Sequence, residues 1–459
     1  MNKDAHRTEE SGATRREFIK KSTLAAAAVA STNIFKTPVY GQNQAPSPGS
    51  VIGANDRLRV AYIGTGNQGQ LHINTQKTNA GANNIEQVAV CDLSQQRRAD
   101  ALKIVGGPCK EFENYEELLA QKDIDAVTIA TCDHWHCKTT LAALDAGKHV
   151  YVEKPMTRYL PEAFQVYDKV KATGKILQVG SQGCTAAAWH KAAELIKGDQ
   201  IGTPVWAQGY YCRNSKDGEW NLPVPAWAAL ANDMKWDRWQ EPVHDKQNPN
   251  PEAYIRWRKY YPYCAGLLGD LIPHRLLPLM LATGNPEFPT RVACLGSKNV
   301  LADKAAGLPV RDVPEQVQVL AEFPSGLTLV LIASSVAARS PGFVIYGHKA
   351  ALEIGSSGER IQLIPEKPFS EDIDLQNFDG LTPAEDFGAH EKNWFDCIRA
   401  NKEPNAGINL AIRAQTVISL AEMSNRENMM CLFDEKTRQV KTMDGRDVAT
   451  ITYGTIEPS

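Results

Sequence analysis

The chain is expected to fold as an α/β domain with a doubly wound parallel sheet, followed by an α+β domain with an open, largely antiparallel sheet. Three observations lead there. Short apolar runs alternate with helical stretches from Arg59 to Gly180. The first of these runs stops at a glycine-rich turn, Gly64-Thr65-Gly66-Asn67-Gln68-Gly69. Beyond Gly180 the alternation ends, and later strands are joined by turns such as Pro324-Ser325-Gly326. At 459 residues the chain is too long for one ordinary domain. Residues 1–54 read as a signal and linker, 55–180 as the first domain, and 181–459 as the second, with an insertion at 214–253.

The chain begins with an address. Thr14-Arg15-Arg16-Glu17-Phe18-Ile19-Lys20 fits a twin-arginine export pattern. Thr23 to Ala30 is mostly alanine, too short and too weakly apolar to remain as a membrane span in the mature form. Ser31 to Ala54 is rich in Pro, Gly, Gln, Asn and Ser, a linker composition. The expectation is export through the twin-arginine machinery to the periplasm.

Val60 to Ile63 reads as a strand buried on both faces. Gly64, Gly66 and Gly69 fall on the G-x-G-x-x-G spacing of a Rossmann-type nucleotide site. The first allows a tight turn, the second a close approach to a pyrophosphate, the third close helix packing. The next helix, opening at Asn67 and Gln68, would aim its N–H groups at the phosphates. Gln87 to Cys91 is a second apolar run ending at Asp92, where a ribose-binding carboxylate belongs. The plainer role for Asp92 is to cap the following helix, Ser94 to Val105. Arg97 and Arg98 stand where a 2′-phosphate would bind, but Asp92 would repel one, so NAD is expected rather than NADP.

A short helix, Tyr115 to Gln121, leads to the strand Asp125 to Thr131. Thr131 and His134 are expected along the cofactor cleft. No metal is expected: His134 and His136 are spaced i and i+2, poor ligand geometry on a helix, and no acid cluster completes a site. His149 to Pro155 is a strand that delivers Glu153 and Lys154. A helix from Pro161 to Ala172, closed by Gly174, precedes the last parallel strand, Lys175 to Gly180. Gln182 comes next and completes the expected cofactor set.

Glu153-Lys154-Pro155, with the three glycines and Asp92, resembles the glucose–fructose oxidoreductase and inositol dehydrogenase (Gfo/Idh/MocA) family over roughly Leu58 to Glu427. The second half is read with that resemblance beside it. Trp189 to Lys197 is a helix and Val205 to Arg213 a strand carrying Tyr211 and Arg213, both expected to bind substrate. Six of the nine tryptophans lie between Trp206 and Trp257. Aromatic faces stack on sugar rings, although Trp236, Trp239 and Trp257 have packing as their plainer role. Trp257 and Arg258 join the expected substrate set. Asp270 and His274 are four apart, on one face of a helix with Pro273 in its first turn or at a kink. The resemblance implies that Asp270 and His274 are substrate-binding and catalytic, paired with Lys154. Strands are read at Arg291 to Ser297, Gln316 to Phe323, Leu327 to Ala333 and Phe343 to Ile354, helices at Phe387 to Ala400 and Ala411 to Arg426. The C-terminal remainder reads as a small appendage with a turn at Asp444-Gly445. In the family the open sheet often forms subunit contacts, so a homo-oligomer is implied.

Hydrophobic content of 43%, charged content of 22% and a net charge of −3 are ordinary globular values, with no basic block for nucleic acid. Ten cysteines occur without a C-x-x-C pair, which argues against a zinc ribbon or disulfide scaffold. The resemblance implies an NAD(P)-dependent oxidoreductase acting on a sugar, polyol or glycoside, with His274 or Lys154 as base and Asp270 orienting the histidine. Outside the inner membrane no pool of free nucleotide is maintained, so a tightly held cofactor is expected. Two alternatives remain. One is a redox-neutral NAD-dependent glycosidase or epimerase working through a transient 3-keto sugar. Exported relatives of that kind differ at Glu-Lys-Pro, so their substrate is not carried over. The other is a non-catalytic sugar-binding protein that keeps the nucleotide as a structural element.

Overall fold

The computed structural model describes residues 56–453, apart from 230–233, 245, 357 and 383–384. The twin-arginine stretch, the alanine run and the linker to Ala54 lie outside the described residues.

The first sheet holds β1 (Leu58–Ile63), β2 (Ile85–Cys91), β3 (Lys110–Phe112), β4 (Ala126–Ile129), β5 (His149–Glu153) and β6 (Leu177–Gly180). All are parallel, in the order β3-β2-β1-β4-β5-β6. Helices cover both faces, which is why Val60 to Ile63 and all of β4 are apolar or small and buried. Strand order reverses between β1 and β4, and the switch opens a cleft at the strands' carboxyl ends. One face packs under the helices Asn67–Thr78 and Phe387–Ala400, where Tyr62, Ile73, Tyr151, Trp394 and Phe395 share a core. On the other face, Asp133–Asp145, Leu160–Thr173 and Ile408–Glu427 join the main core.

The second sheet has eleven strands: β7 (Pro204–Cys212), β8 (Arg291–Ser297), β9 (Gln316–Glu322), β10 (Thr328–Ser334), β11 (Phe343–Gly347), β12 (Ala350–Ile354), β13 (Ile361–Pro365), β14 (Gln376–Phe378), β15 (Cys431–Asp434), β16 (Gln439–Lys441) and β17 (Asp447–Val448). Their order is β14-β13-β12-β11-β7-β10-β9-β8-β15-β16-β17. Only β7 and β10 run parallel. In β9 the alternation is strict: Val317, Val319 and Ala321 face the core while Leu320 is 55% exposed.

Two readings of this half change. Phe343 to Ile354 is a hairpin rather than one strand. The chain reverses at His348-Lys349, whose N–H groups donate to Thr203 and Ile201, so apolar residues continue on both sides of the turn. The C-terminal segment is no appendage: β15 pairs with β8 and extends the sheet, and Gly445, at φ +84°, turns β16 into β17.

The insertion packs around its own aromatic core of Trp236, Trp239, Tyr254, Trp257 and Tyr263, extending past the expected boundary to Cys264. That core rests on Leu93 and Cys132, the residues just beyond β2 and β4. No helix among the described residues is long and apolar enough to cross a membrane.

Candidate functional site

The glycine turn is built as its spacing demands. Gly64 sits at φ +86°, and a Cβ there would lie 2.7 Å from the backbone of Ala130 and Thr131. A Cβ on Gly69 would lie 2.1 Å from the Gly64 carbonyl oxygen. Gly66 differs: its nearest neighbour would be the Arg97 guanidinium, 3.8 Å away. The space beside Gly66 is open, and the helix Asn67–Thr78 starts there with no side-chain cap, leaving first-turn N–H groups for a ligand. Asn67 is exposed in that first turn.

Asp92 does not cap the next helix; Ser94 does. Asp92 instead accepts from the Thr65 N–H at 2.8 Å and the Ser94 N–H at 2.9 Å, tying the glycine turn to the end of β2. The Thr131 hydroxyl at the end of β4 is buried with no hydrogen-bond partner. An open cradle at Gly66, uncapped N–H groups, a carboxylate beyond β2 and an orphaned hydroxyl fit an adenine dinucleotide without a 2′-phosphate.

Behind the cleft lies a network that local patterns do not announce. Glu153 is 5% exposed. It accepts from Gln68 at 3.0 Å, from the backbone N–H of Lys154, and, more distantly, from Gln182 at 3.4 Å. His72 lies between two carboxylates, with Nε2 2.8 Å from Glu153 and Nδ1 2.6 Å from Glu391. Burial works against a charged His72, but its bonds to Glu153 and Glu391 prevail and raise it to about 9. Burial would raise Glu153, and the His72 bond and charge bring it down to about 2. The result is a buried ion pair fixing the residue next to Lys154. Its sequence signal was His72, three residues past Gly69 and four past Gln68.

Lys154 leaves the end of β5 and donates to the Asp270 carboxylate at 2.6 Å and the Asp270 carbonyl at 2.8 Å. Arg258 donates to the same carboxylate oxygen at 3.1 Å. Burial would lift the Asp270 carboxyl, but Lys154 and Arg258 outweigh it and hold it far below the ordinary range. Asp270 is therefore a fixed anion. The expectation that it orients His274 is corrected: its hydrogen bonds go to Lys154, Arg258 and Trp220, and the buried Nδ1 of His274 has no partner. The helix breaks between Leu267–Asp270 and Pro273–Ala282, so the two side chains do not share one regular face. His274 instead stands 3.6 Å from Glu385 and beside the Tyr211 ring. Burial, aided by Lys154, lowers its imidazole to about 3, so it is neutral. Asp133, missed by sequence reasoning, is 4% exposed with Oδ2 unpaired, and burial pushes its carboxyl up.

Arg213 stands 3.8 Å from Asp270 and 3.3 Å from Glu219. Trp257 is packed in the insertion core with Arg258 over its ring. His134 is not on the open cleft. It lies beneath Trp239 and Tyr263, bonded to the Trp239 carbonyl, with burial lowering it to about 3. Packing by an insertion is invisible to local sequence, which is why that position misled. His136 bonds the carbonyls of Pro155 and Thr131 and so joins the ends of β5 and β4. Trp236 and Trp239 are core residues. Trp220 reaches the carboxylate itself, its indole N–H donating to Asp270 at 3.0 Å.

Residues 58–181 match the family described as oxidoreductase family, NAD-binding Rossmann fold (Gfo/Idh/MocA). Inositol 2-dehydrogenase of Salmonella paratyphi B is 25% identical over 228 residues, 50% of this chain and 65% of that protein. A glycosyl hydrolase family 109 protein of Shewanella baltica is 32% identical over 251 residues, 51% of this chain and 52% of that protein. The matches thus span less than two thirds of these curated relatives. Among solved structures, levoglucosan dehydrogenase in complex with NADH and levoglucosan superposes with a TM-score of 0.63 at 18% identity, covering 82% of this chain and 98% of that one. The likeness extends the shared fold through both sheets. The six-stranded Rossmann fold of residues 58–181 thus matches the NAD-binding domain of the Gfo/Idh/MocA oxidoreductases.

Proposed function

We propose that the protein is an exported NAD-dependent oxidoreductase that removes a hydride from a carbinol carbon of a sugar, polyol or glycoside. The observation that carries this reading is the Lys154–Asp270 pair, with a neutral His274 four residues on, just past the carboxyl end of β5 in the same parallel sheet as the glycine turn. Bound nicotinamide supplies the hydride acceptor. Lys154 holds the reacting hydroxyl oxygen, His274 accepts its proton, and Asp270 keeps the lysine in place. Arg213, Arg258 and Tyr211 surround the remaining hydroxyls. The inositol and levoglucosan dehydrogenases among the similar proteins support a polyol or sugar substrate.

Export rests on Arg15-Arg16 and the alanine run. A periplasmic site favours a cofactor that stays bound, and the aromatic insertion packed on Leu93 and Cys132, with Arg97 near both the Trp227 and Tyr254 rings, supports slow release. The open face of the second sheet, with Leu295 77% exposed, supports assembly into a homo-oligomer.

A second reading is the redox-neutral cycle, in which a transient ketone acidifies the adjacent proton, a glycosidic leaving group departs, water adds and the hydride returns. The 32% identity to a glycosyl hydrolase family 109 protein favours keeping it. Retention of Lys154, Asp270 and His274 weighs against a merely sugar-binding role.

The test is a near-ultraviolet spectrum of the purified protein with no nucleotide added, then a panel of sugars and glycosides. Bound nucleotide that changes redox state with a sugar upholds the reading, and product analysis then separates oxidation from cleavage. A protein that arrives empty and turns over only with free NAD removes the tight-cofactor part. A protein that never binds nucleotide overturns the whole.

A further inference from the structure

Trp220 occupies a conformation that a bulky side chain rarely adopts. Its φ is +64°, in the left-handed region. The residues on either side are held by one buried ionic cluster. Arg311 donates to the Glu219 carbonyl at 2.8 Å and grips both oxygens of Asp303 at 2.7 Å. Asn221 donates to Asp303 at 2.8 Å and accepts from Lys259 at 3.0 Å. Lys259 also donates to Glu252 and to the Pro309 carbonyl. Lys259, Asp303 and Arg311 are at most 2% exposed. Gly218, at φ +80°, starts the turn, and a Cβ there would lie 2.6 Å from the Asn221 amide.

Buried ion clusters are poor devices for stability, because desolvation offsets their attraction. Here the cluster does something else: it imposes a strained turn. The turn's output is one hydrogen bond, from the Trp220 indole to Oδ2 of Asp270. A cation near that oxygen, Arg213, is 3.8 Å away on a side chain that is 42% exposed. Oδ1 meanwhile holds Lys154 and Arg258.

We propose that Trp220, clamped by the Lys259–Asp303–Arg311 cluster, is a positioning residue that sets the Asp270 carboxylate and, through it, Lys154. This deepens the oxidoreductase reading and rests on it for its kinetic consequence. Its geometric consequence can be read without turnover. The insertion thereby builds part of the site as well as covering it.

The experiment compares wild type with Trp220→Phe, which keeps the ring and deletes the donor, and with Asn221→Ala, which loosens the turn and keeps the indole. Reductive methylation of Lys154, read by peptide mass spectrometry, reports how firmly the lysine is held. Both variants are expected to label several-fold faster at Lys154 than wild type, with NAD affinity by titration unchanged. Where a sugar substrate is in hand, Trp220→Phe should lose about tenfold to a hundredfold in kcat with little change in KM, the worth of a hydrogen bond to a charged group. Its pH–rate profile should also shift on the acid side. Unchanged Lys154 labelling in a folded Trp220→Phe protein overturns the proposal, as does an unchanged kcat and pH profile. If wild type oxidises no sugar, the oxidoreductase reading fails, and the labelling comparison still decides the role of Trp220.

Discussion

The Nζ of Lys154 sits 2.6 Å from Oδ1 of Asp270, although 116 residues separate the two in the chain. One comes from the end of a parallel strand, the other from a broken helix that enters the second domain. The pair ties the parallel sheet to a helix far along the chain, so the proposed reactive centre exists only once both have folded. Lys154→Met deletes the cation and keeps much of the bulk. The expected outcome is loss of turnover by about 10²- to 10⁴-fold with nucleotide binding preserved. Steady-state rates and an NAD titration on the same preparation check it. Retained turnover would remove Lys154 from the chemistry.

Gly66 and Gly69 separate ligand from fold. Gly66→Ala adds a methyl into space bounded only by Arg97 at 3.8 Å. Thermal stability is expected to change little, while NAD affinity falls at least tenfold because the methyl stands where the pyrophosphate must approach. Gly69→Ala drives a Cβ to 2.1 Å from the Gly64 carbonyl oxygen. Backbone must move, and a cost of about 3 kcal/mol is expected. Paired calorimetric melts and titrations distinguish the two effects, and similar behaviour of both variants would contradict the geometry.

His72 gives a pH signature. Its folded pKa is raised to about 9 from an ordinary value near 6.5. A raised cationic group stabilises the fold fully below pH 6.5 and loses that contribution as pH rises through 9. The difference in unfolding free energy between wild type and His72→Gln should therefore be largest below pH 6.5 and shrink toward pH 9. Removing one partner of a buried pair costs about 3–5 kcal/mol at the maximum. Urea titrations at a series of pH values measure it. A difference that stays constant with pH would mean that His72 is not charged in the folded protein.

These residues differ in how legible they are. Gly64, Gly66, Gly69 and Asp92 sit at fixed local spacings, and Glu153-Lys154-Pro155 is contiguous, so sequence exposes them. The parallel strands are equally plain, because burial on both faces writes itself as unbroken apolar runs. Glu391 lies 319 residues from His72, and no periodicity links them. Trp220 and Trp236 look alike in sequence. Only the strained turn at Gly218 to Asn221 sends one to Asp270 while the other packs in the insertion core. The Asp270–His274 spacing suggested a shared helical face, and the break before Pro273 removed it. β13 to β17 are short and partly polar, so their pairing, rather than their composition, defines them.

The insertion also predicts how the nucleotide leaves. Arg97 lies beside the open space at Gly66, and its guanidinium sits 5.3 Å from the Trp227 ring and 5.7 Å from the Tyr254 ring. A cation in contact with two rings resists displacement, at about 0.5–1 kcal/mol per contact at partly exposed sites. The ring nearest Arg97 is Trp227, a half-buried residue outside the Lys154–Asp270 cluster. Trp227→Ala is expected to speed NAD release several-fold, with the association rate little changed because the cradle at Gly66 and the helix N-terminus remain. Stopped-flow displacement of bound NADH by excess NAD, monitored by nicotinamide fluorescence, reads the rate directly. An insertion that merely fills space would leave it unaltered, and retention of the cofactor would then rest on the glycine turn and Asp92.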